Sequence, residues 1–373
     1  MTSTLRGVCW PAAAATHDGS AHGDRPVHVR CPFVTRRTWT LLVSFALVAA
    51  FGLLGGFVKV PYVALGPGPT YDTLGSVGST PVVDVAGTTT YPTTGQLRMT
   101  TVSVTDDITL FGALGLWASG RFGLAPREEF FPPSKSQQQV QQENVKQFQD
   151  SQTSAEVAAL RYLGYPMKVL VGDVVPGSPA DGTIQPGDRL LVVNGQQVTS
   201  AEQVRGALAN TKPGQQVAVQ FQHAGAPERT ATFTLANRSD RAQGFLGIGA
   251  IERPDVPFQV KISLSDVGGP SAGLMFALAI VDKLTPNGLD AGASVAGTGD
   301  IDDKGAVRPI GGIPFKMAAA KDAGATIFLV PSDNCAEAKQ RAPQGLRLVK
   351  VGSLDEAAHE LQALHAGKDV PSC

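Results

Sequence analysis

Residues 40–58 read TLLVSFALVAAFGLLGGFV, a run without a single ionisable side chain. A helix of about 20 such residues spans the hydrocarbon core of a bilayer and satisfies its own backbone hydrogen bonds there. The run therefore predicts one transmembrane helix over residues 38–60. A cleaved signal peptide is the sharper rival, but a long region precedes the run and no clear A-x-A site follows it. A buried helix of a soluble protein is the blander alternative, and this run is unusually long and uniform for one. Arg25, Arg30, Arg36 and Arg37 precede the run, while only Lys59 follows closely. The positive-inside bias then puts residues 1–37 in the cytoplasm and everything after about residue 60 outside it. Those first residues show no periodicity and read as a disordered tail, or as an over-extended start of the reading frame.

The 373 residues allow two compact domains besides an anchor. A net charge of −1 and the lack of any basic stripe or aromatic-basic interleaving exclude a nucleic-acid partner. Cys9, Cys31, Cys335 and Cys373 are too few and scattered for a disulfide scaffold. None forms a CxxC pair, so neither a metal site nor a cofactor is expected. Cys335 and Cys373 both fall on the outer, oxidising side, and the tail over residues 371–373 has no other evident reason to be ordered. They are expected to form a disulfide worth about 2–4 kcal/mol.

Residues 61–131 contain strand-like runs such as LRMTTVSV, with Gly66-Pro67-Gly68-Pro69 as a turn cluster, and no visible chemistry. Residues 132–154 are polar and Gln-rich, a linker or solvated helix, and a short helix follows over residues 155–163. Next come short strands and turns: PGSPA over residues 176–180, GDRLLVVNG over residues 187–195 and the helical AEQVRGAL over residues 201–208. Asn194-Gly195 is a tight-hairpin signal. These three pieces resemble a PDZ domain, taken here as residues 155–238. The resemblance implies binding of extended peptides by strand addition at a sheet edge. The site would lie between the strand near Val169 and the helix near Val204, with Leu163-Gly164-Tyr165-Pro166 as the carboxylate loop.

After residue 244 the character changes again. Gly268-Gly269-Pro270-Ser271-Ala272-Gly273 leads into LMFALAIVDKL, apolar on nearly all sides and therefore a buried helix. Ser271 would sit at its N-terminus, where free N–H groups favour an oxyanion. Taken alone, Ser271 could equally be an N-cap. Further on stands Pro309-Ile310-Gly311-Gly312-Ile313-Pro314-Phe315-Lys316, in which Pro314 suits a first helical turn. A lysine there opposes the helix dipole, so Lys316 either snorkels to solvent or serves a purpose.

Together these clusters, with Thr298-Gly299-Asp300 between them, resemble the proteolytic domain of the Lon family of serine endopeptidases, here residues 244–365 with a tail over residues 366–373. The resemblance implies Ser271 as nucleophile and Lys316 as general base. Thr298 would hold the lysine amine, and Gly269, Pro270, Gly311 and Gly312 would shape the two turns. The acid that precedes the turn in many Lon enzymes is displaced here, since Gly268-Gly269 stand between Val267 and Pro270 and leave Asp266 further off. There is no GxxxxGKS/T motif, hence no nucleotide partner. No HExxH is present, and His223, His359 and His365 lie in no catalytic-looking pattern.

The expected protein is thus an α/β and α+β multidomain chain with one N-terminal transmembrane helix, a PDZ domain and a C-terminal Lon-type Ser-Lys domain. This layout resembles the bacterial membrane-anchored PDZ-Lon proteases. It implies ATP-independent cleavage of extracytoplasmic or membrane proteins, with peptides or proteins as partners and a single-pass place in the cell membrane. The alternative is a catalytically silent PDZ adaptor at the membrane surface.

Overall fold

The computed structural model describes residues 36–264, 267–286, 288–289 and 292–373. Most of the expected N-terminal tail, residues 1–35, lies outside these, as does Asp266. Contacts divide the chain into residues 1–53 and residues 54–373. The apolar run forms helix α1, Arg36–Phe57, 22 residues long. Among the described residues it is the one helix long and apolar enough to cross a bilayer.

Beyond it follow strands β1 (Tyr62–Asp72) and β2 (Gln96–Thr105), helix α2 (Leu110–Ala118), strand β3 (Gly123–Pro126) and helix α3 (Gln137–Tyr162). The Gly-Pro-Gly-Pro cluster is not a turn but lies inside β1. Its register against β2 shifts between Pro67 and Thr70, a bulge that frees the prolines from ladder bonds they cannot donate. Helix α3 corrects the separation of residues 132–154 from a short helix over residues 155–163, since one helix runs through both. A capping box starts it: the Ser136 hydroxyl accepts from Gln139 N–H at 3.2 Å, and the Gln139 side chain accepts from Ser136 N–H at 2.8 Å. Its Gln-rich first half is mostly exposed. Phe148, Ser151, Ala155, Ala158 and Ala159 then recur at helical spacing and are buried.

A second sheet takes over at β4 (Met167–Val174), β5 (Arg189–Val193), helix α4 (Ala201–Leu208), β6 (Gln216–Gln222), β7 (Arg229–Thr234) and β8 (Ile248–Pro254). Its order is β7-β6-β5-β4-β8. Val193, Val204, Val217 and Phe221 belong to its own core. Asn194 and Gly195 both take positive φ, 50° and 77°, as a tight hairpin between right-twisted strands requires. Strand β8 extends this unit past the expected boundary at residue 238, and takes residues 248–254 out of the expected 244–365 domain. Met167 in β4 faces Pro254 in β8, so the entry and exit of the unit meet.

Helix α5 (Gly273–Leu284), β9 (Ser294–Gly297), α6 (Ile313–Asp322), β10 (Ile327–Pro331), β11 (Arg347–Val351) and α7 (Leu354–His365) complete the fold. They join a six-stranded sheet of order β11-β10-β9-β2-β1-β3. β9 runs parallel to β2, with Val295 opposite Leu97. Residues 61–131 are therefore no separate segment, because β1, β2 and β3 are half of the sheet that also carries the C-terminal elements. Parallel neighbours need a long crossover, and here that crossover contains the whole second sheet. Helix α5 is buried from Gly273 to Asp282 and packs on α3, α7 and β2. Phe276 meets Phe148 of α3 edge-on, ring centres 5.8 Å apart.

Candidate active site

The turn before α5 is held from two sides. Gly269 has φ +82°, a left-handed conformation that a side chain would strain. Its N–H donates to the Asn144 carbonyl of α3 at 3.0 Å. One residue on, the Pro270 carbonyl accepts from the Ser151 hydroxyl of α3 at 2.8 Å. Across the turn, the Ser271 carbonyl accepts from Gly299 N–H and from Thr298 Oγ1, each at 2.9 Å. Ser271 precedes Ala272, the N-cap of α5, and no side chain caps that helix. Its hydroxyl is therefore not spent on capping. It has no partner among the described residues, and neither do the N–H groups of Ser271 and Ala272.

Lys316 is the fourth residue of α6, after Pro314 at its second position. Gly312 caps α6 with φ +73°, and a Cβ there would come within 2.7 Å of Val102 Cγ2 in β2. Asn334 braces the approach, giving and taking hydrogen bonds at 2.9 Å with the backbone of Ile310. Lys316 is 3% exposed and Thr298 fully buried. Lys316 Nζ donates to Thr298 Oγ1 at 3.0 Å, its one hydrogen-bond partner among the described residues. Burial pushes Lys316 down from 10.5 to about 7.

Ser271 and Lys316 line one cavity of about 570 Å³, with Gly269, Pro270, Gly311 and Gly312 in its wall. Leu65, Met99, Val102, Val104 and Phe130 make its other side apolar. Every one of those five comes from residues 61–131, where no chemistry was visible. Asp300 also lines it; burial pushes its carboxyl up, and Arg308 at 3.2 Å pulls it back in part. Ser151 and Asn144 were missed because the stripe they share with Phe148 is polar at two positions and reads as solvated.

A second cavity lies apart from most of the residues expected to bind peptide. A cavity of about 640 Å³ runs between α4 and residues 245–250, lined by Val204, Leu208, Phe245, Leu246 and Ile248. Its strand is β8, the edge of the second sheet, with one side open for strand addition. Val169 cannot serve, because β4 is paired on both sides, Val169 with Leu190 and with Glu252. Leu163 ends α3 and packs on the main core, and Gly164 follows in a turn with φ +76°. Of the expected groove residues only Val204 lines it. Glu252 of β8 accepts from Ala201 N–H at the start of α4 (2.8 Å) and from Arg161 of α3 (2.7 Å). Burial alone would raise its carboxyl, but these donors hold it below its ordinary value. Arg161 also donates to the Asp303 carbonyl at 3.0 Å, which ties the second sheet to the C-terminal elements. Cys335 and Cys373 are joined by a disulfide and pack on the core that includes Ile313, Met317 and Phe328.

Compared with known proteins, residues 259–363 match the Lon protease (S16) C-terminal proteolytic domain, and residues 139–234 match the PDZ domain. Two stretches of the chain are thus similar to the proteolytic domain of a class of serine endopeptidases and to a PDZ domain. Among its relatives is the Lon protease of Syntrophomonas wolfei, 33% identical over 127 residues, 32% of this chain and 15% of that protein. The Lon protease of Azorhizobium caulinodans is 34% identical over 117 residues, 31% of this chain and 13% of that protein. The match therefore spans only a small part of these relatives. The solved PDZ domain of an SdrC-like protein from Listeria monocytogenes is 23% identical, covering 22% of this chain and 86% of that one, with a TM-score of 0.21. The Lon match begins after β1–β3 and the PDZ match ends before β8, so both omit strands that the sheet topology joins to them.

Proposed function

We propose that the chain is a membrane-anchored, ATP-independent serine endopeptidase that cuts extracytoplasmic or membrane proteins through Ser271 and Lys316, with the groove beside β8 taking extended segments of substrate. One observation carries this reading: a lysine 3% exposed has, among the described residues, a single hydroxyl partner, and that hydroxyl is bonded in turn to the carbonyl of Ser271. A lysine kept in this setting serves proton transfer better than stability.

The Thr298 hydroxyl spends its hydrogen on the Ser271 carbonyl, so it meets Lys316 with a lone pair. It thus orders the amine by accepting one N–H and leaves the lone pair of a neutral Lys316 for the Ser271 proton. Lys316 takes that proton as Ser271 Oγ attacks the scissile carbonyl. The N–H groups of Ser271 and Ala272, at the positive end of α5, would receive the oxyanion. Collapse of the tetrahedral species breaks the C–N bond, and the protonated Lys316 gives its proton to the departing amine. Water then attacks the acyl-serine, delivering its proton to Lys316, which returns it to Ser271 Oγ. The apolar wall from β1, β2 and Phe130 suits an apolar substrate side chain.

The lack of a GxxxxGKS/T motif in the sequence supports action without nucleotide. The arginines before the apolar run support an outward-facing catalytic part. The test is cleavage of an unfolded protein by the full chain in nanodiscs without nucleotide, against Ser271→Ala. Loss of cleavage in the variant, with unchanged unfolding, is the expected result. Equal cleavage by both proteins would remove Ser271, and no cleavage by either would leave the adaptor reading.

A further inference from the structure

Helix α2 reads LFGALGLWA, nine residues without a charged side chain. Its inner side packs: Ala113 is buried with Ala64 and Ile108, and Leu116 rests against them. Its outer side stays largely exposed. Leu110, Phe111, Leu114 and Trp117 are 37%, 44%, 49% and 63% exposed, and the positions between them on that side are Gly112, Gly115 and Ala118. A surface helix of a water-soluble domain presents charged or polar residues outward, and this one presents four large apolar side chains in a contiguous patch.

The helix is fastened where α1 ends. Leu110 N–H donates to the Val58 carbonyl at 3.3 Å, and Val60 N–H donates to the Ile108 carbonyl at 3.0 Å. Lys59 bridges to Thr109 in the backbone and pairs with Asp107 at 2.6 Å. The Phe111 ring lies against Gly55 in the last turn of α1. Val58 is the first residue after that helix. An apolar face held at this point lies at the level where a spanning chain leaves the hydrocarbon, and a tryptophan with flanking cations suits the headgroup boundary.

We infer that the outer face of α2 is seated in the bilayer interface, a second membrane contact beside the span, with lipid acyl chains covering Leu110, Phe111, Leu114 and Trp117. This rests on the membrane-anchored reading. It sets the height of the catalytic unit, because α2, β1 and β3 share one small core and β1 also contributes Leu65 to the catalytic cavity. The opening is thereby kept close to the membrane surface, within reach of segments emerging from the bilayer.

The chain has three tryptophans, at positions 10, 39 and 117, which allows a test on the full protein. Trp10→Phe with Trp39→Phe leaves Trp117 as reporter; Trp10→Phe with Trp117→Phe leaves Trp39, inside α1. Each is placed in nanodiscs of phosphatidylcholine with or without brominated acyl chains. The expected result is that brominated lipid removes at least half the emission of both reporters. Adding Leu114→Glu should restore most of the Trp117 emission while Ser271-dependent cleavage of a short peptide persists. Quenching of Trp39 with full emission from Trp117 would overturn the inference and leave the anchor standing. A Trp117 shielded from both brominated lipid and aqueous acrylamide would assign the face to a second copy of the chain and also overturn it. Loss of quenching at both positions would overturn the anchor itself, and this inference with it.

Discussion

Replacing Lys316 by Met should make the protein more stable and inactive, and the gain should depend on pH in a calculable way. The methionine has nearly the shape of the lysine stem and carries no charge to bury. In the folded chain Lys316 sits at about 7, against 10.5 ordinarily. Below pH 7 the folded protein must hold a buried cation, and the linkage cost is about 4–5 kcal/mol. Between about pH 7 and 10.5 the unfolded lysine keeps a proton that the folded one releases, so the wild type regains stability as pH rises. The cost falls to about 2 kcal/mol at pH 9 and under about 1 at pH 10. Removing the amine also leaves Thr298 without a donor, though its hydroxyl still donates to the Ser271 carbonyl, a loss of about 1 kcal/mol at most. The net gain should be about 3–4 kcal/mol at pH 6 and close to nothing at pH 10. Chemical denaturation of both full chains in the same detergent, at pH 6, 9 and 10, measures it. A difference that does not change with pH, or a less stable Lys316→Met at pH 6, would refute a depressed lysine and with it the proton-transfer argument.

The same depression fixes a pH profile for cleavage: kcat/KM should rise as pH passes about 7, where Lys316 becomes neutral, and then level off. Lys316→Arg should be inactive throughout, since guanidinium stays protonated; measurable turnover by it would count against the base. Gly312→Ala should cost about 1–2 kcal/mol for the left-handed backbone alone, and the clash with Val102 should displace α6, so kcat/KM should fall well beyond what thermal unfolding at the assay temperature explains. Ser151→Ala should lower kcat with little change in KM, because Ser151 positions the turn through the Pro270 carbonyl and does not line the cavity; Ser151→Thr should recover part of the loss. Cys335→Ser with Cys373→Ser should lower the unfolding free energy by about 2–4 kcal/mol for a loop of 38 residues, read from urea denaturation with and without reductant.

Local chemistry was legible where one segment settles its own conformation. The all-apolar α5, the Asn194-Gly195 hairpin and the Pro314 start of α6 follow from side-chain pattern and backbone preference. Partner choice was not. Nothing in Leu97 or Val295 says that these residues lie side by side in parallel strands, because pairing across so long a crossover is settled by how the whole core closes. The same gap misplaced the groove. Residues 245–254 look like any short strand, and only their pairing with β4 makes them the open edge, while Val169, equally strand-like, is enclosed on both sides. The inward face of helix α3 escaped for a different reason: its buried stripe runs through Ser151 beside Phe148, and a polar position on an inward face looks solvated until its partner at Pro270 is known.

The meeting of Met167 and Pro254 at the base of the PDZ unit has a bearing on how the chain is made. A chain delivered from its N-terminus can finish the inserted sheet as soon as Pro254 has emerged, since all five of its strands are then present. The other sheet waits. β1, β2 and β3 appear early, yet β9, β10 and β11 come only after the insert, and Lys316 arrives between β9 and β10. Because the ends of the insert are clamped together, the early and late halves are separated by far less effective chain than their numbering implies. The closure penalty grows by only about 0.6 kcal/mol per doubling of loop length in any case. The domain therefore assembles late and with high contact order, and a partly synthesised chain holds the serine turn without the lysine. Synthesis order alone keeps Ser271 and Lys316 apart until the six-stranded sheet is nearly complete.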